Sequence, residues 1–154
     1  KILSKDFAYW LGIVAAQSKS GVGQRKIWVE LRKDNNLQAV FTALTKKIFN
    51  LTVDEVQVGN RKFLQINSSN LVQFLHHSIG RKLLYRKVPL FIQEAPPEMQ
   101  LDFIRGLSVK GHLDDKKFIV YAGSSKPIAD FVAATLISLG FGIYLDIKYN
   151  FEQK

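Results

Sequence analysis

Two stretches of the chain carry one pattern. The first reads Phe7-Ala-Tyr-Trp-Leu-Gly-Ile-Val-Ala-Ala-Gln-Ser18, the second Leu101-Asp-Phe-Ile-Arg-Gly-Leu-Ser-Val-Lys-Gly-His112. Each places apolar residues at helical spacing, interrupts them with one glycine and runs into a polar turn. An interior glycine costs a helix roughly 1 kcal/mol relative to alanine. Two of them at matching places predict close approach of two backbones, with Gly12, Ala16 and Gly106 at the interface of a pseudo-two-fold pair.

The rest of the pattern supplies the other elements. Ser4 caps the first helix, over about Lys5 to Gln17. Ser18 to Gly23 reads as a break. Arg25 to Arg32 alternates, with Ile27, Val29 and Leu31 on one side and Lys26, Trp28, Glu30 and Arg32 on the other. A helix from Asp34, Asn35 or Asn36 to Phe49 buries Leu37, Val40, Phe41, Leu44 and Ile48. Glu55–Val58 and Arg61–Ile66 form a hairpin through Gly59-Asn60. A helix capped by Ser68 or Ser69 ends before Gly80.

Arg81 to Lys87 is the densest basic cluster. With Pro89 and Pro96-Pro97 it reads as a linker, either a solvated connector or a phosphate-contacting saddle. A helix then runs from Pro97 to about Ser108, a strand from Lys117 to Ala122, a helix from the cap Ser124 or Ser125 to Gly140, and a strand from Ile143 to Tyr149.

Helices and strands without a βαβ rhythm predict an α+β fold with antiparallel sheets covered by helices on one face. The second part replays the first but stops a strand and a helix short. The division is residues 1–87 and 88–154 within one compact unit. The other sheet face, carrying Lys26, Trp28, Arg32, Lys117, Tyr144 and Lys148, is expected to be open.

Composition changes this picture in three ways. The 154 residues carry a net charge of +9, which favours a nucleic-acid partner over an incidentally basic protein. There is no cysteine, so no disulfide framework or thiolate metal site. No apolar run reaches the ~18–20 residues that span a bilayer, and the N-terminus lacks a signal-peptide layout. No membrane association is expected, and the location is intracellular, cytoplasmic or nucleoid-associated. Beginning at Lys1, the sequence reads as part of something longer.

Other constellations carry less. His76 and His77 are adjacent on a helix and do not share a face, while His112 is a turn residue. Gly21-Val-Gly23 lacks the Lys-Ser/Thr of a phosphate loop. Helix capping accounts for Ser124-Ser125.

Together the doubled motif, its spacing, Val88-Pro-Leu-Phe-Ile-Gln-Glu-Ala-Pro-Pro97 and the passage Ser124 to Gly140 resemble the two-motif LAGLIDADG homing endonucleases, especially the endonuclease domains of inteins. The resemblance implies a monomer of two αββαββα-like halves. The motif helices would sit at the interface, and two antiparallel sheets would form a saddle for duplex DNA. It also implies an acidic residue at the foot of each motif helix holding Mg²⁺, since a hard cation needs oxygen ligands.

The chain departs from that pattern. The first acid falls on Gln17, a neutral amide. The second falls on Lys110 or Gly111, an ammonium or no side chain at all. Asp114, Asp115 or Glu30 are the remaining carboxylates near enough to consider. The expectation is a degenerate domain with no metal cofactor, catalytic positions Gln17, Lys110 and Gly111, and DNA contacts at Lys26, Trp28, Arg32, Lys62, Lys117 and Lys148. Alternatives are an RNA-splicing maturase binding structured RNA, a transcription-regulator module, or a structural remnant without binding.

Overall fold

Helix α1 (Lys5–Gln17) starts where the sequence places it, with the Ser4 hydroxyl accepting from the Phe7 N–H at 3.1 Å. The computed structural model describes residues 3–20, 25–31, 34–109, 111–114 and 117–146, with backbone alone for 112–114 and 117. The order that follows is β1 (Ser18–Ser20), β2 (Lys26–Val29), α2 (Asn35–Phe49), β3 (Asp54–Val58), β4 (Arg61–Asn67) and α3 (Ser69–Ser78). After a 3-10 turn at Leu83–Tyr85 come α4 (Leu90–Gln93), α5 (Pro97–Leu107), β5 (His112–Asp114), β6 (Lys117–Ile119) and α6 (Lys126–Ser138). The first seven elements are αββαββα, and the architecture is α+β.

The caps are those the sequence marks. Asp34, Ser68 and Ser125 each accept from the backbone N–H three residues on. Gly59 and Gly80 have positive φ, at the hairpin turn and just past α3.

The first sheet is antiparallel in the order β1-β2-β4-β3. Ile27 and Val29 of β2 face the core with Leu64 and Ile66 of β4. Among the described residues the second sheet is the ribbon β5-β6, with His112 opposite Ile119.

Helix α1 is covered on every side, and Ala8, Trp10, Leu11, Ile13 and Val14 have no exposed surface. On one side Trp10 stacks on Phe41 at 5.9 Å, and its indole N–H donates to Thr45 Oγ1 at 2.9 Å. Thr45 in turn donates to the Phe41 carbonyl, so the buried polar pair is satisfied within α2. On the other side α1 crosses α5 at the two glycines. A Cβ on Gly12 would stand 2.1 Å from the Phe103 carbonyl oxygen and 2.9 Å from the Gly106 Cα. A Cβ on Gly106 would stand 2.1 Å from the Tyr9 oxygen and 2.8 Å from the Gly12 Cα. The two sets of distances match residue for residue, as a two-fold crossing requires. Arg105 adds a cation–π contact across it, 5.1 Å from the Tyr9 ring.

Several elements differ from the sequence reading. Ser18–Ser20, read as a break, is a strand. Its residues lack apolar alternation, but the chain leaves α1 already extended at Ser18 and runs beside β2. His112–Asp114 is a further strand, pairing with β6. The strand expected over Arg25 to Arg32 is confined to Lys26–Val29, with Arg32 outside the described residues, and that over Lys117 to Ala122 to Lys117–Ile119. Residues 143–146 form no strand, and 147–149 lie outside the described residues. A strand needs a neighbour to pair with, and the described β5-β6 ribbon offers residues 143–146 none.

The basic linker is neither a solvated connector throughout nor a phosphate saddle throughout. Arg86 is only 3% exposed and is built into the core. None of the described helices is long and apolar enough to cross a membrane.

Candidate nucleic-acid interface

Two places assemble polar chemistry: the outer face of the first sheet and the foot of α1.

The outer face follows from strand parity. Trp28 lies opposite Lys19 of β1 and Gln65 of β4, so these three share a face with Lys26 and Asn67. Phe63 and Arg61 alternate onto the same side. Trp28 stacks on Phe63 at 5.5 Å, and the Lys19 ammonium lies 4.4 Å from the Phe63 ring centroid and 5.4 Å from that of Trp28. The Arg61 guanidinium stands over Phe63 from another side at 5.3 Å and is paired with Glu30. That pairing raises the Arg61 pKa, first through the hydrogen bond and then through the carboxylate charge. The Trp28 indole donates to Gln65 Oε1 at 2.7 Å, and the Gln65 amide donates to Asn67 Oδ1 at 3.1 Å. The face is therefore a carpet of two rings roofed by cations, beside an ordered run of side-chain amides.

This arrangement sorts the expected contact residues. Lys26 and Trp28 share the outer face, Lys26 exposed and Trp28 half-buried. Lys62 is exposed but stands on the opposite face, in the parity of Leu64 and Ile66. Lys117 lies in β6 on the second sheet. Tyr144 is exposed and outside any strand. Arg32 and Lys148 lie outside the described residues. Lys19, Gln65 and Asn67 were not anticipated. Lys19 was hidden because its segment was read as a break, while the alternation of Phe63, Gln65 and Asn67 along β4 was available.

At the foot of α1, Gln17 is half-buried, and its carbonyl accepts from the Glu30 N–H at 3.2 Å. Beside it Arg86 donates to the carbonyls of Val14 (3.1 Å), Ala15 (2.6 Å) and Ser18 (2.6 Å), and to Ser18 Oγ (3.1 Å). These acceptors include carbonyls that a helix end leaves unmet, and the cation sits at the negative pole of the helix. Burial lowers the Arg86 pKa to about 10, with Tyr121 acting against it, so the group stays charged at neutral pH. The Arg86 carbonyl accepts from Ser125 Oγ, the residue that caps α6. One linker residue thus ties the foot of α1 to the start of α6.

The other motif helix ends differently. Helix α5 stops at Leu107, one turn sooner relative to its glycine than α1. The spacing from Gly12 to Gln17 equals that from Gly106 to Gly111, so the crossing makes Gly111 the counterpart of Gln17. Gly111 donates to the Ser108 carbonyl at 2.6 Å, and a Cβ there would lie 2.7 Å from the Ile119 carbonyl oxygen. Lys110 lies outside the described residues. Among the described residues no group of three or more His, Asp or Glu is placed to hold a metal ion.

No protein-family model matches the sequence, and no curated protein matches it. Solved structures do match in fold. Mesophilic variants of the homing endonuclease I-DmoI align at 17% identity and a TM-score of 0.59, covering 88% of this chain and 77% of that one. A variant of I-DmoI in complex with its target DNA and manganese aligns at 16% identity and 0.55, over 88% and 76%. I-DmoI with DNA and calcium aligns at 14% and 0.54, over 88% and 72%. At these identities the likeness is one of fold: the chain shares the α+β fold of these I-DmoI structures.

Proposed function

We propose that this chain is a monomeric duplex-DNA-binding domain on the homing-endonuclease scaffold, of the intein type that Val88 to Gly140 resembles, with cleavage lost or impaired. The observation that carries this reading is the foot of α1. A divalent cation there needs oxygen ligands, ideally carboxylates. Gln17 offers a neutral amide, and Arg86 brings a buried guanidinium onto the same helix end. These residues do not fit a divalent cation. The counterpart position, Gly111, supplies no side-chain ligand.

Binding draws on different residues. A net charge of +9 attracts a polyanion. Lys19 and Lys26 are exposed on a sheet face that also presents Asn67, a side chain suited to base edges in a major groove, with the buried Gln65 amide behind it. The I-DmoI complexes, held on the same fold, contain DNA.

The test is a duplex selected from a random pool, followed by cleavage and binding assays on the full chain. Binding that weakens steeply with salt, at about 0.9 in log–log slope per phosphate contact, and no double-strand cleavage in Mg²⁺ or Mn²⁺ are expected. Efficient cleavage surviving both Gln17→Ala and Lys110→Ala sinks the reading. Preference for structured intron RNA over duplex DNA replaces it with a maturase.

A further inference from the structure

A small cleft opens between the core face of the first sheet and α3, beside the edge strand β1. Its walls include Ser18, Ser20, Ile27, His76, Ile79 and Arg86. The interior, about 10 Å³, admits one water-sized group.

Three features of this cleft point to an anion. Arg86 lines it, is 97% buried by the 3% exposure it retains, and holds an Nε–H with no partner among the described residues. A buried donor on a charged group is costly to leave unmet. The charged groups nearest the cleft are cationic, Arg86 from the linker and Arg81 just after α3, and there is no carboxylate in the lining. Ser20 Oγ and His76 Nε2 are hydrogen-bonded to each other at 2.5 Å in the wall, and when the imidazole donates, the Ser20 hydroxyl proton is left for an oxygen at the mouth.

We propose that this cleft binds a phosphate group, one oxygen entering toward Arg86 while Ser20, held by His76, donates to an oxygen that remains at the mouth. The geometry supplies charge-assisted hydrogen bonds, the strong class for oxyanions. The site does not depend on the DNA-binding reading, because free phosphate and a backbone phosphate share this chemistry.

His76 is the reporter. Burial lowers its pKa, and the charges of Arg81 and Arg86 lower it further. A bound phosphate offsets those charges and raises it. The experiment follows the His76 ring by NMR through an acid titration of the full chain, in chloride and in inorganic phosphate at matched ionic strength. An upward shift of the His76 midpoint in phosphate beyond that in chloride is expected. Ser20→Val fills the cleft while suiting a strand and abolishes the phosphate-specific shift. Arg86→Gln abolishes it as well, and Ser20→Val decides alone should Arg86→Gln not fold.

Equal shifts in chloride and phosphate, or a shift that survives Ser20→Val, overturn the proposal. A short duplex in place of inorganic phosphate separates the two sources. A His76 shift with both means a backbone phosphate occupies the cleft. A shift with inorganic phosphate alone leaves a free-anion site, and if that duplex does not bind anywhere the DNA reading fails while the cleft stands.

Discussion

The two glycine-bearing helices are alike where they cross and unlike where they end. At the crossing, Gly12 faces Gly106 with matched distances on both sides. At the feet, α1 runs a turn further, passes directly into β1 and is held by Arg86, whereas α5 stops at Leu107 and leaves Gly111 in a turn. The crossing is fixed by hard contact between backbones and tolerates no added atom. The feet are built from hydrogen bonds and charge, which other residues can supply. Packing and chemistry are thus carried by separable parts of the same helix.

The sharpest way to break that contrast is at the crossing. Gly12→Val drives a side chain into the Phe103 carbonyl and is expected to cost more than the roughly 1–3 kcal/mol usual for overpacking, because the obstacle is backbone that cannot change rotamer. Chemical denaturation should show it largely unfolded. Gly12→Ala and Gly106→Ala each open the same contact, so the double variant should cost less than the sum of the singles. Additive costs would mean that the two glycines do not share one constraint.

At the foot the loss is smaller. Arg86→Met keeps much of the stem but leaves the Val14, Ala15 and Ser18 carbonyls without their donor. A loss of roughly 2–4 kcal/mol follows from the usual worth of hydrogen bonds to a charged group, read from the urea midpoint. A loss below about 0.5 kcal/mol would show that relief of a buried charge balances the bonds.

On the outer face neither substitution should touch the fold. Lys26→Ala is expected to reduce the salt slope of duplex binding by about 0.9, measured by fluorescence anisotropy at several salt concentrations. Lys62→Ala, on the opposite face, should leave that slope unchanged. Equal effects would remove the distinction between the faces.

The smallest effect concerns His76. Its folded pKa lies below the unfolded value, so the unfolded chain binds more protons as pH falls below about 6.5. The resulting contribution favours folding above that pH and is lost as pH falls toward the folded pKa. Thermal melts should show a shallow acid-side decline that His76→Gln removes.

Much of this was legible in the sequence for a physical reason. Caps and helix periods are local, so the sequence marks Ser4 outright and the other starts to within a residue or two, with Asp34, Ser68 and Ser125 the caps among their neighbours. The paired glycines announce the crossing because nothing else repays their cost in a helix. Strands that exist through their neighbours were not legible: Ser18–Ser20 has no pattern of its own and is extended because β2 lies beside it. The site was hidden for a related reason. Arg86 sits in the most basic run of the chain, where charge reads as surface, yet it is buried because helix-end carbonyls await it from a segment far away in sequence.

The crossing also sets a schedule. During synthesis α1 leaves the ribosome ahead of α5, with a surface that is apolar on every side from Phe7 to Ala16. Its partner α5 follows about ninety residues later, a delay on the order of 5–20 s at ordinary elongation rates. Helix α2 can shelter Trp10 within that interval, but the face bearing Gly12 stays bare until α5 arrives. A nascent chain halted in the basic linker would therefore present that stripe to chaperones, and release should come abruptly once Gly106 has emerged.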